Sequence, residues 1–536
     1  MKPNILFIMC DQLRHDYLGC TGHPHIRTPH IDALAARALT FSQAYAQSPI
    51  CGPSRMSFYT GRYVRSHGST WNRAPLRVGE LTIGDHLNPL GMRTVLCGKT
   101  HMAADLDGMA RLGIDPSSGI GATLSECGFE VWDRLDGLHP SRGKKKPSHY
   151  NDYLNQQGHP GSDPWETAAN AVEDADGTAL SGWLMSHVDK PARVPAEQSE
   201  TAYATSRAME FIEQADARPW CLHLSYIKPH WPYVAPAPYH AMYGPDDVLP
   251  PVRDEAERQD PHPVLGAFQQ HRVSRAFSRD EVRARVIPAY MGLISQIDDE
   301  VGRLVGWLEE TGRLENTVIV FTSDHGDYLG DHWLGEKELF HDPSVRIPLI
   351  IFDPSPEADA TRGQVCDDLV EAIDLLPSFV EWAGGEVPGH VLEGRSLVPV
   401  LRGAATGREV VVSEYDYAYR LARQILGREI ADCRLQMIFD GRWKMIHAAG
   451  FRPMLFDLKE DPNEINDLGA DPGQAEVIAR LSAALLDWAT RHHAKQTQPD
   501  AFVEATAGAE FHAGILIGFW DEAELAEAEA LGHGGN

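Results

Sequence analysis

The feature that most constrains the fold is a set of short, almost wholly apolar segments that alternate with helical patterns. Such runs are typical of strands buried on both faces of a parallel sheet, because covering helices exclude water from each face. The candidate strands are "NILFIMC" (4–10), "RTVLC" (93–97), "WCLHLSY" (220–226), "TVIVFTS" (317–323) and "IPLIIF" (347–352). The alternation predicts an α/β fold with a large, mostly parallel, doubly wound sheet flanked by helices.

The charge balance excludes some function classes. The chain has 48 basic and 76 acidic residues, a formal net charge of −28, so nucleic-acid binding is not expected. The one basic run, Arg142–Lys146, is interpreted as a solvated loop. The amino-terminal apolar run is too short to span a membrane, and no cleavage pattern follows it. Eight scattered cysteines without close pairs indicate reduced thiols, which predicts a cytoplasmic protein without membrane attachment.

The sequence pattern changes near residue 403. Short alternating strands and turn signals such as Asp440-Gly441 follow, and then an amphipathic helical pattern, "AEVIARLSAALLDWATRHH". We therefore predict a catalytic domain over 1–402, a small subdomain over 403–493 with an antiparallel sheet and one helix, and an extended tail over 494–536. The apolar patch "GILIGFW" (514–520) predicts that this tail is an oligomerisation arm in a homo-dimer or homo-tetramer, although docking on its own domain stays open.

Polar residues that suit chemistry follow four of the candidate strands. They are Asp11 and Gln12, Lys99 and His101, His230, and Asp324 and His325. In open parallel sheets, ligands bind outside the carboxyl ends of the strands. We therefore expect these side chains to meet at one edge of the sheet and to form a site there.

The acidic residues at two of these strand ends indicate a metal site. Asp11, Gln12 and Asp324 offer the hard oxygen ligands that divalent cations prefer, and His325 shifts the preference from Ca²⁺ toward Mn²⁺. Either ion stays open. A helix cap is the alternative for each aspartate alone, but two adjacent pairs at the ends of two buried strands favour metal binding.

Cys51 lies in "SPICGPSRMSFYTGRY" (48–63), just ahead of a helical pattern. A helix that begins near Pro53 would point free backbone N–H groups and the positive end of its dipole toward residue 51, which suits a nucleophile that meets an anion. Arg55, one turn along, can bond to the nucleophile and to a metal-ligating carboxylate. A buried structural cysteine is the alternative reading of this segment alone.

"CGPSR" followed by "TGR" resembles the C-x-P-x-R signature of type I sulfatases, which have an alkaline phosphatase-like fold. The resemblance extends over roughly the first 400 residues, through "CDQLRHD", "GKTH", "KPHWPY", "SDHGDYLGDH" and "EKELFHDPSVRIPLI". It implies that a formylglycine-installing enzyme oxidises Cys51 to formylglycine, whose hydrate is the nucleophile and also a metal ligand. The chain is also similar to the phosphonate monoester hydrolases and arylsulfatases that use Asp-Gln and Asp-His pairs.

The resemblance also implies roles for the remaining site residues. Lys99 would contact the nucleophile and the substrate, and His101 would deprotonate the geminal hydroxyl. His230 and Lys337 would contact the ester and assist departure of the leaving group. Asn72, in "WNRAPL", matches a substrate-contacting asparagine of the phosphonate hydrolase branch.

These residues predict a sulfuric ester hydrolase with side activity on phosphonate and phosphate esters and a small-molecule sulfate ester as its substrate. A phosphonate monoester hydrolase is the nearest alternative, but by resemblance that branch has Tyr and Thr where this chain has Lys99 and His101. A two-metal phosphodiesterase would need a second ligand set and a Ser or Thr nucleophile, which we do not find. A non-catalytic binding protein is disfavoured because every catalytic residue type is present.

The residues that contact the natural alcohol are not readable from the sequence. Loops such as 102–195 would supply the wall of the pocket and carry Trp132, Trp165 and Trp183. Asp327, Asp331 and His332 are interpreted as residues that order the loop after "DHG", with His332 able to approach the site.

Overall fold

A computed structural model describes residues 2–135, 148–491, 498–506, 513, 516 and 520–531. The basic run 142–146 and most of the apolar patch 514–520 lie outside the described residues. The predicted arm therefore stays a prediction.

The described chain contains two main sheets and one short hairpin. The strands of the large sheet and the hairpin are β1 (Asn4–Asp11), β2 (Leu39–Tyr45), β3 (Arg93–Gly98), β4 (Glu130–Arg134), β5 (Ala171–Glu173), β6 (Ala179–Ser181), β7 (Trp220–Pro229), β8 (Thr317–Ser323), β9 (Leu349–Phe352) and β10 (Gln364–Glu371). Strands β5 and β6 form a separate two-stranded hairpin. The strands of the second sheet are β11 (Val411–Asp416), β12 (Arg434–Phe439), β13 (Trp443–Ala448) and β14 (Met454–Asp457).

The helices surround these sheets. They are α1 (Pro29–Ala35), α2 (Cys51–Thr60), α3 (Val64–His67), α4 (Ile83–Leu87), α5 (Leu106–Leu112), α6 (Gly119–Leu124), α7 (His149–Gln156), α8 (Glu200–Gln214), α9 (Ala256–Gln259), α10 (Pro263–Gln269), α11 (Arg272–Phe277), α12 (Asp280–Glu310), α13 (Asp342–Val345), α14 (Leu375–Trp382), α15 (Val398–Leu401), α16 (Leu421–Ile425), α17 (Ala475–Arg491), α18 (Asp500–Thr506) and α19 (Glu522–Leu531).

The large sheet has eight strands in the order β10-β2-β9-β8-β1-β7-β3-β4. All neighbours are parallel except β9, which is antiparallel to both β2 and β8. The predicted large, mostly parallel sheet is confirmed, but the expectation that segment 347–352 is a parallel strand is wrong. The loop after β8 stays at the carboxyl edge, so the chain re-enters the sheet from that edge and runs the opposite way.

The sequence did not predict β2, β4 or β10. Strands β4 and β10 lie at the two edges of the sheet and keep exposed residues, and β2 carries half-exposed residues within an otherwise buried strand. Their sequences therefore lack the unbroken apolar run by which the central strands were recognised.

Helices cover both faces of the large sheet. On one face, the Phe7 ring of β1 lies 5.3 Å from the Phe379 ring of α14 and 6.0 Å from the Phe58 ring of α2. On the other face, Ile8 belongs to the hydrophobic cluster that includes Ile294 of α12. Neighbouring residues of β1 thus point to opposite faces, as the period of a strand requires. Both faces are dry, which explains the continuous apolar runs.

The second sheet is antiparallel, with the order β11-β12-β13-β14, and α17 packs against it through the buried Leu481 and Trp488. The predicted small sheet with one helix is confirmed. Its first strand begins at Val411. The domain boundary near residue 403 stays a prediction.

No helix in the described ranges is long and apolar enough to cross a membrane. All eight cysteines are free. The cytoplasmic location stays a prediction.

Candidate active site

Four side chains converge at the carboxyl edge of the large sheet. Asp11 is the last residue of β1, Asp324 and His325 follow β8, and Cys51 is the first residue of α2. Their potential ligand atoms all lie within 4.8 Å of one another, and all four residues are buried. The strand ends thus bring together residues that are up to 314 positions apart, as the parallel arrangement predicts.

The Cys51 side chain lies at the centre of this group. Its Sγ is 3.0 Å from Nε2 of His325 and 3.7 Å from Oδ1 of Asp11. Helix α2 begins at Cys51 and not near Pro53, so residue 51 lies in the first turn itself. Burial, and next the Asp11 carboxylate, raise the pKa of the Cys51 thiol to about 12. An unmodified thiol in this arrangement stays protonated at neutral pH.

Asn72 covers the amino terminus of α2. Its Oδ1 accepts a hydrogen bond of 2.8 Å from the backbone N–H of Gly52. A Cβ atom at residue 52 would lie 2.9 Å from this oxygen and 3.0 Å from the Asn72 Cα, so only glycine allows so close an approach. The predicted substrate-contacting residue is therefore held next to the nucleophile position.

Arg55 bonds to the carboxylates of both Asp11 and Asp324. The guanidinium is fully buried and donates to Asp324 Oδ2 at 2.7 Å and to Asp11 Oδ2 at 3.4 Å. It also donates to the Lys99 carbonyl at 2.8 Å and to Ser225 Oγ at 2.7 Å. A buried charge without such partners would be costly, so this network fixes the carboxylates in place.

Lys99 and His101 follow β3 and reach the same group. Lys99 Nζ lies 2.5 Å from Asp11 Oδ2. Burial acts to raise the pKa of Asp11, but the positive charges of Lys99, Arg55 and Lys337 outweigh it and hold the pKa well below its usual range. Burial, and next the Lys99 charge, lower the pKa of His101. In the described part of the chain, Nδ1 of His101 has no hydrogen-bond partner.

Gln12 is oriented by residues on both sides. Its Oε1 accepts from Lys337 Nζ at 2.7 Å, and its Nε2 donates to the Asp327 carboxylate. The Tyr233 hydroxyl donates to the same carboxylate at 2.8 Å, and burial raises the pKa of Asp327 to about 6. The sequence interpretation of Asp327 as a loop-ordering residue missed this contact with Gln12. Its place in "SDHGD", three residues after Asp324, was the available signal.

His230 and Lys337 differ in how they can serve as proton donors. His230 Nδ1 lies 2.6 Å from the Trp231 carbonyl, so the proton is on Nδ1 and Nε2 carries a lone pair. Burial, and next the Lys337 charge, lower the pKa of His230. Burial would also lower the pKa of Lys337, but the nearby carboxylates of Glu336, Asp11 and Asp324 act to raise it, and the pKa stays above its usual value. Lys337 therefore stays charged, whereas His230 stays neutral.

The donor set at Cys51 fits a divalent cation. Nδ1 of His325 lies 2.9 Å from the Gly326 carbonyl, which leaves the Nε2 lone pair directed at the carboxylates. Two aspartates and an imidazole converge. The backbone N–H of Gln12 donates to Asp324 Oδ1 at 3.1 Å, which holds residue 12 next to them. Oxygen donors with one imidazole nitrogen suit Ca²⁺ or Mn²⁺.

The other residues considered from the sequence make contacts outside the group around Cys51. Asp331 pairs with Arg14 at 2.8 Å, and His332 Nδ1 lies 2.8 Å from Glu257 Oε1, so both order the loop after β8. Of the three tryptophans, Trp183 packs beside Trp231, next to His230, whereas Trp132 packs on Phe211. Trp165 is buried behind Trp183, at 5.8 Å between the rings.

Comparison with known proteins places this arrangement in a family. A sulfatase family model matches residues 3–385, and a model for the carboxyl-terminal region of N-sulphoglucosamine sulphohydrolase matches residues 330–491. The multifunctional alkaline phosphatase superfamily protein PehA of Trinickia caryophylli is 34% identical, over 92% of this chain and 96% of its own length. An arylsulfatase of Clostridium perfringens is 28% identical, over 91% of this chain and 94% of its own.

Solved structures agree with these sequence comparisons. The phosphonate monoester hydrolase of Silicibacter pomeroyi superposes with a TM-score of 0.79 at 31% identity and covers 92% of this chain and 96% of its own. That of Agrobacterium radiobacter gives 0.78 at 28% identity, with 91% and 96% covered. The chain therefore belongs to the sulfatase family, the sulfuric ester hydrolases of the alkaline phosphatase superfamily.

Proposed function

We propose that this protein hydrolyses sulfate esters with a formylglycine derived from Cys51 and one divalent cation. The observation that carries the proposal is the convergence of Asp11, Cys51, Asp324 and His325 at the first turn of α2. A helix amino terminus favours an anion, and the surrounding Lys99, Lys337 and Arg55 add positive charge at the same place. A formylglycine-installing enzyme is the partner that this proposal requires.

Modification of Cys51 accounts for the chemistry better than the thiol does. In the absence of a bound cation, the raised pKa leaves little thiolate, which is the nucleophilic form of cysteine. The hydrate of an aldehyde at residue 51 offers one hydroxyl that attacks sulfur as the alcohol leaves. The second hydroxyl then loses its proton, the C=O bond reforms and sulfate departs from that carbon. Water need not attack sulfur, whereas a serine ester would require it.

Each neighbouring residue has a proposed part in this reaction. The cation held by Asp11, Gln12, Asp324, His325 and residue 51 would polarise the oxygens of the ester. Lys99 and Arg55 hold Asp11 ionised and in place, and Asn72 donates its amide N–H groups to the substrate. His101, neutral because its pKa is lowered, accepts the proton of the second hydroxyl.

Lys337 is the proposed donor to the departing oxygen, because it keeps its proton at neutral pH. His230 would contact the ester through Nε2. In the neutral ring that nitrogen has no proton, so His230 neither protonates the ester oxygen nor donates a hydrogen bond to it.

A phosphonate monoester hydrolase is the second candidate, since two solved structures of that name superpose on this chain. Promiscuity between these esters is expected, because the positive field binds any tetrahedral anion. We expect kcat/KM to be about ten- to a hundredfold higher for an aryl sulfate, because a phosphonate has carbon where Lys99 or His101 would donate to oxygen.

Matched 4-nitrophenyl sulfate and 4-nitrophenyl phenylphosphonate, assayed with Mn²⁺ and with Ca²⁺, test this proposal. Lys99→Tyr and His101→Thr should narrow the preference while they lower both rates. A wild-type preference for the phosphonate would promote the second candidate.

The tail is proposed to be an arm that joins subunits into a homo-dimer or homo-tetramer. Trp520 is 87% exposed within the described chain, and an exposed tryptophan next to an apolar segment marks an interaction site. Deletion of residues 495–536 should lower the number of subunits in the assembly, which sedimentation analysis measures as molar mass. An unchanged number of subunits would mean that the tail docks on its own subunit.

A further inference from the structure

Three consecutive residues in the loop after β8 make contacts in three directions. Lys337 points to Gln12 in the site, with 2.7 Å between Nζ and Oε1. On either side of it, Glu336 and Glu338 have φ angles of 61° and 115°. Such positive values are uncommon for residues with a side chain and persist only where surrounding contacts demand them. The contacts of the Glu336 and Glu338 carboxylates therefore indicate which groups this backbone conformation holds in place.

Glu336 holds one aromatic wall beside the site. Its carboxylate accepts a hydrogen bond from Nε1 of Trp231, whose ring lies 4.6 Å from the ring of His230. The Trp183 ring lies 6.2 Å from that of Trp231, and its Nε1 donates to Glu166 at 2.9 Å. Because both indole N–H groups are bonded to carboxylates, the orientation of both half-buried rings is fixed.

Glu338 holds a second aromatic wall, to which the short helical turn after β11 contributes one ring. Its carboxylate pairs with Arg420, whose guanidinium lies 5.7 Å from the centre of the Trp71 ring. The Tyr419 ring stacks on Trp71 at 5.3 Å with an interplanar angle of 7°. Trp71 directly precedes Asn72, so this wall adjoins the amino terminus of α2.

Two features of the second wall suit a ligand. Tyr419 is 58% exposed, although it is a large aromatic residue with one face already stacked on Trp71. The neighbouring Tyr415 is 2% exposed, and within the described residues its hydroxyl has no hydrogen-bond partner. An unpaired buried hydroxyl is unfavourable, and an oxygen of a bound molecule would satisfy it.

We propose that Trp183 and Trp231 on one side, and Trp71 and Tyr419 on the other, form a leaving-group subsite for flat aromatic alcohols. This rests on the proposed ester hydrolysis, since His230 and Asn72 place both walls next to the ester. Aromatic rings bind one another by stacking or edge contact beyond the burial of area alone. The subsite gives the segment that follows β11 a part in substrate selection, through Tyr419 and Arg420.

Unreactive sulfonates test the subsite without turnover. Benzenesulfonate and methanesulfonate carry the same singly charged anion and differ only in the group that would occupy the subsite. By titration calorimetry on the full-length, metal-loaded protein, we expect benzenesulfonate to bind at least about tenfold more tightly. Tyr419→Ala and Trp183→Leu should each reduce that ratio about three- to tenfold, whereas the affinity for methanesulfonate stays the same.

Tyr419→Phe should keep the ratio, because the ring remains. Leu421→Ala is the matched control, because Leu421 is also exposed, at 51%, but touches neither wall in the described contacts. Equal affinities for the two sulfonates, or a ratio that Tyr419→Ala and Trp183→Leu leave unchanged, would overturn the subsite. Ester hydrolysis in the same preparations reports on the proposed function separately, so loss of one result does not imply loss of the other.

Discussion

Two clusters of buried charged side chains lie along the loop after β8. They differ in whether the charged atoms pair with one another or face a shared centre. In the site, Asp11, Asp324 and His325 direct oxygen and nitrogen atoms at Cys51. In the other cluster, Lys444 Nζ lies 2.5 Å from Asp342 Oδ1, 2.7 Å from Glu464 Oε1 and 3.2 Å from a backbone carbonyl. The ammonium thus has two hydrogen bonds and a second carboxylate as ion-pair partner. Charges that satisfy one another hold the fold, whereas charges that face a shared centre can bind an ion or substrate.

The second cluster also supports the first. Lys444 belongs to β13 in the second sheet, and Asp342 begins α13 at the end of the loop that carries Lys337. Glu464 accepts from the backbone N–H of Asp342 at 2.6 Å. The second sheet therefore anchors the loop that delivers Lys337 to the site.

The largest difference between the clusters should be seen at Cys51. Cys51→Ala removes the proposed nucleophile, so we expect kcat to fall by at least about 1000-fold with little change in Tm. Peptide mass analysis of residues 48–55 of the wild type should show an aldehyde or its hydrate. Cys366→Ser, which removes a partly exposed thiol, should stay active. Full activity with an intact thiol at residue 51 would disprove the modification.

Lys444→Met should instead lower the stability of the fold and change catalysis much less. It leaves the buried Glu464 without its cation and Asp342 with Arg346 alone, so the free energy of unfolding should fall by about 3–5 kcal/mol. Urea denaturation measures this, and kcat of the folded protein should change far less than in Cys51→Ala. Lys459→Met, at an exposed lysine, should be neutral. If Lys444→Met abolished activity without destabilising the fold, the two clusters would not be separable as described.

Within the site, the two residues after β8 should contribute unequally to metal binding. Asp324→Asn removes a negative charge and should weaken Mn²⁺ or Ca²⁺ binding by at least about 100-fold, whereas His325→Asn should cost about tenfold. Titration calorimetry on chelator-treated protein gives both values and should show one cation per wild-type chain. Asp359→Asn, at an exposed position in a short helix, serves as control. Two cations per chain, or equal losses, would contradict this assignment.

The smallest expected effect is a shift in pH dependence. A base must be neutral to accept a proton, and burial and Lys99 lower the pKa of His101. Activity should therefore persist as the pH falls through 6.5, with the acid limb of kcat/KM below that value. Lys99→Met removes a positive neighbour and should move this limb to higher pH, besides lowering the rate. A wild-type acid limb at or above pH 7 would exclude a neutral His101 as the base.

Much of the site could be predicted because strand ends carry information in the sequence itself. The apolar runs before Asp11 and Asp324 identify two strands, and parallel strands present their carboxyl ends at one edge. The contact of Asp327 with Gln12 was missed because it joins two loops, whose paths follow no period. The direction of β9 was also mispredicted, since an apolar run looks the same whichever way it crosses the sheet.

The sequence alone determined the α/β class, the small second sheet, and the group of residues brought to the carboxyl edge around Cys51. These follow from periodicities and spacings over a few residues, which depend only on the local geometry of helices and strands. Only the tertiary structure decided that Glu336 and Glu338 hold Trp231 and Arg420, and that Tyr419, in the short helical turn after β11, stacks on Trp71. Residues 71 and 419 meet because the segment after β11 packs against the connection between α3 and α4, and no pattern within either segment specifies that contact.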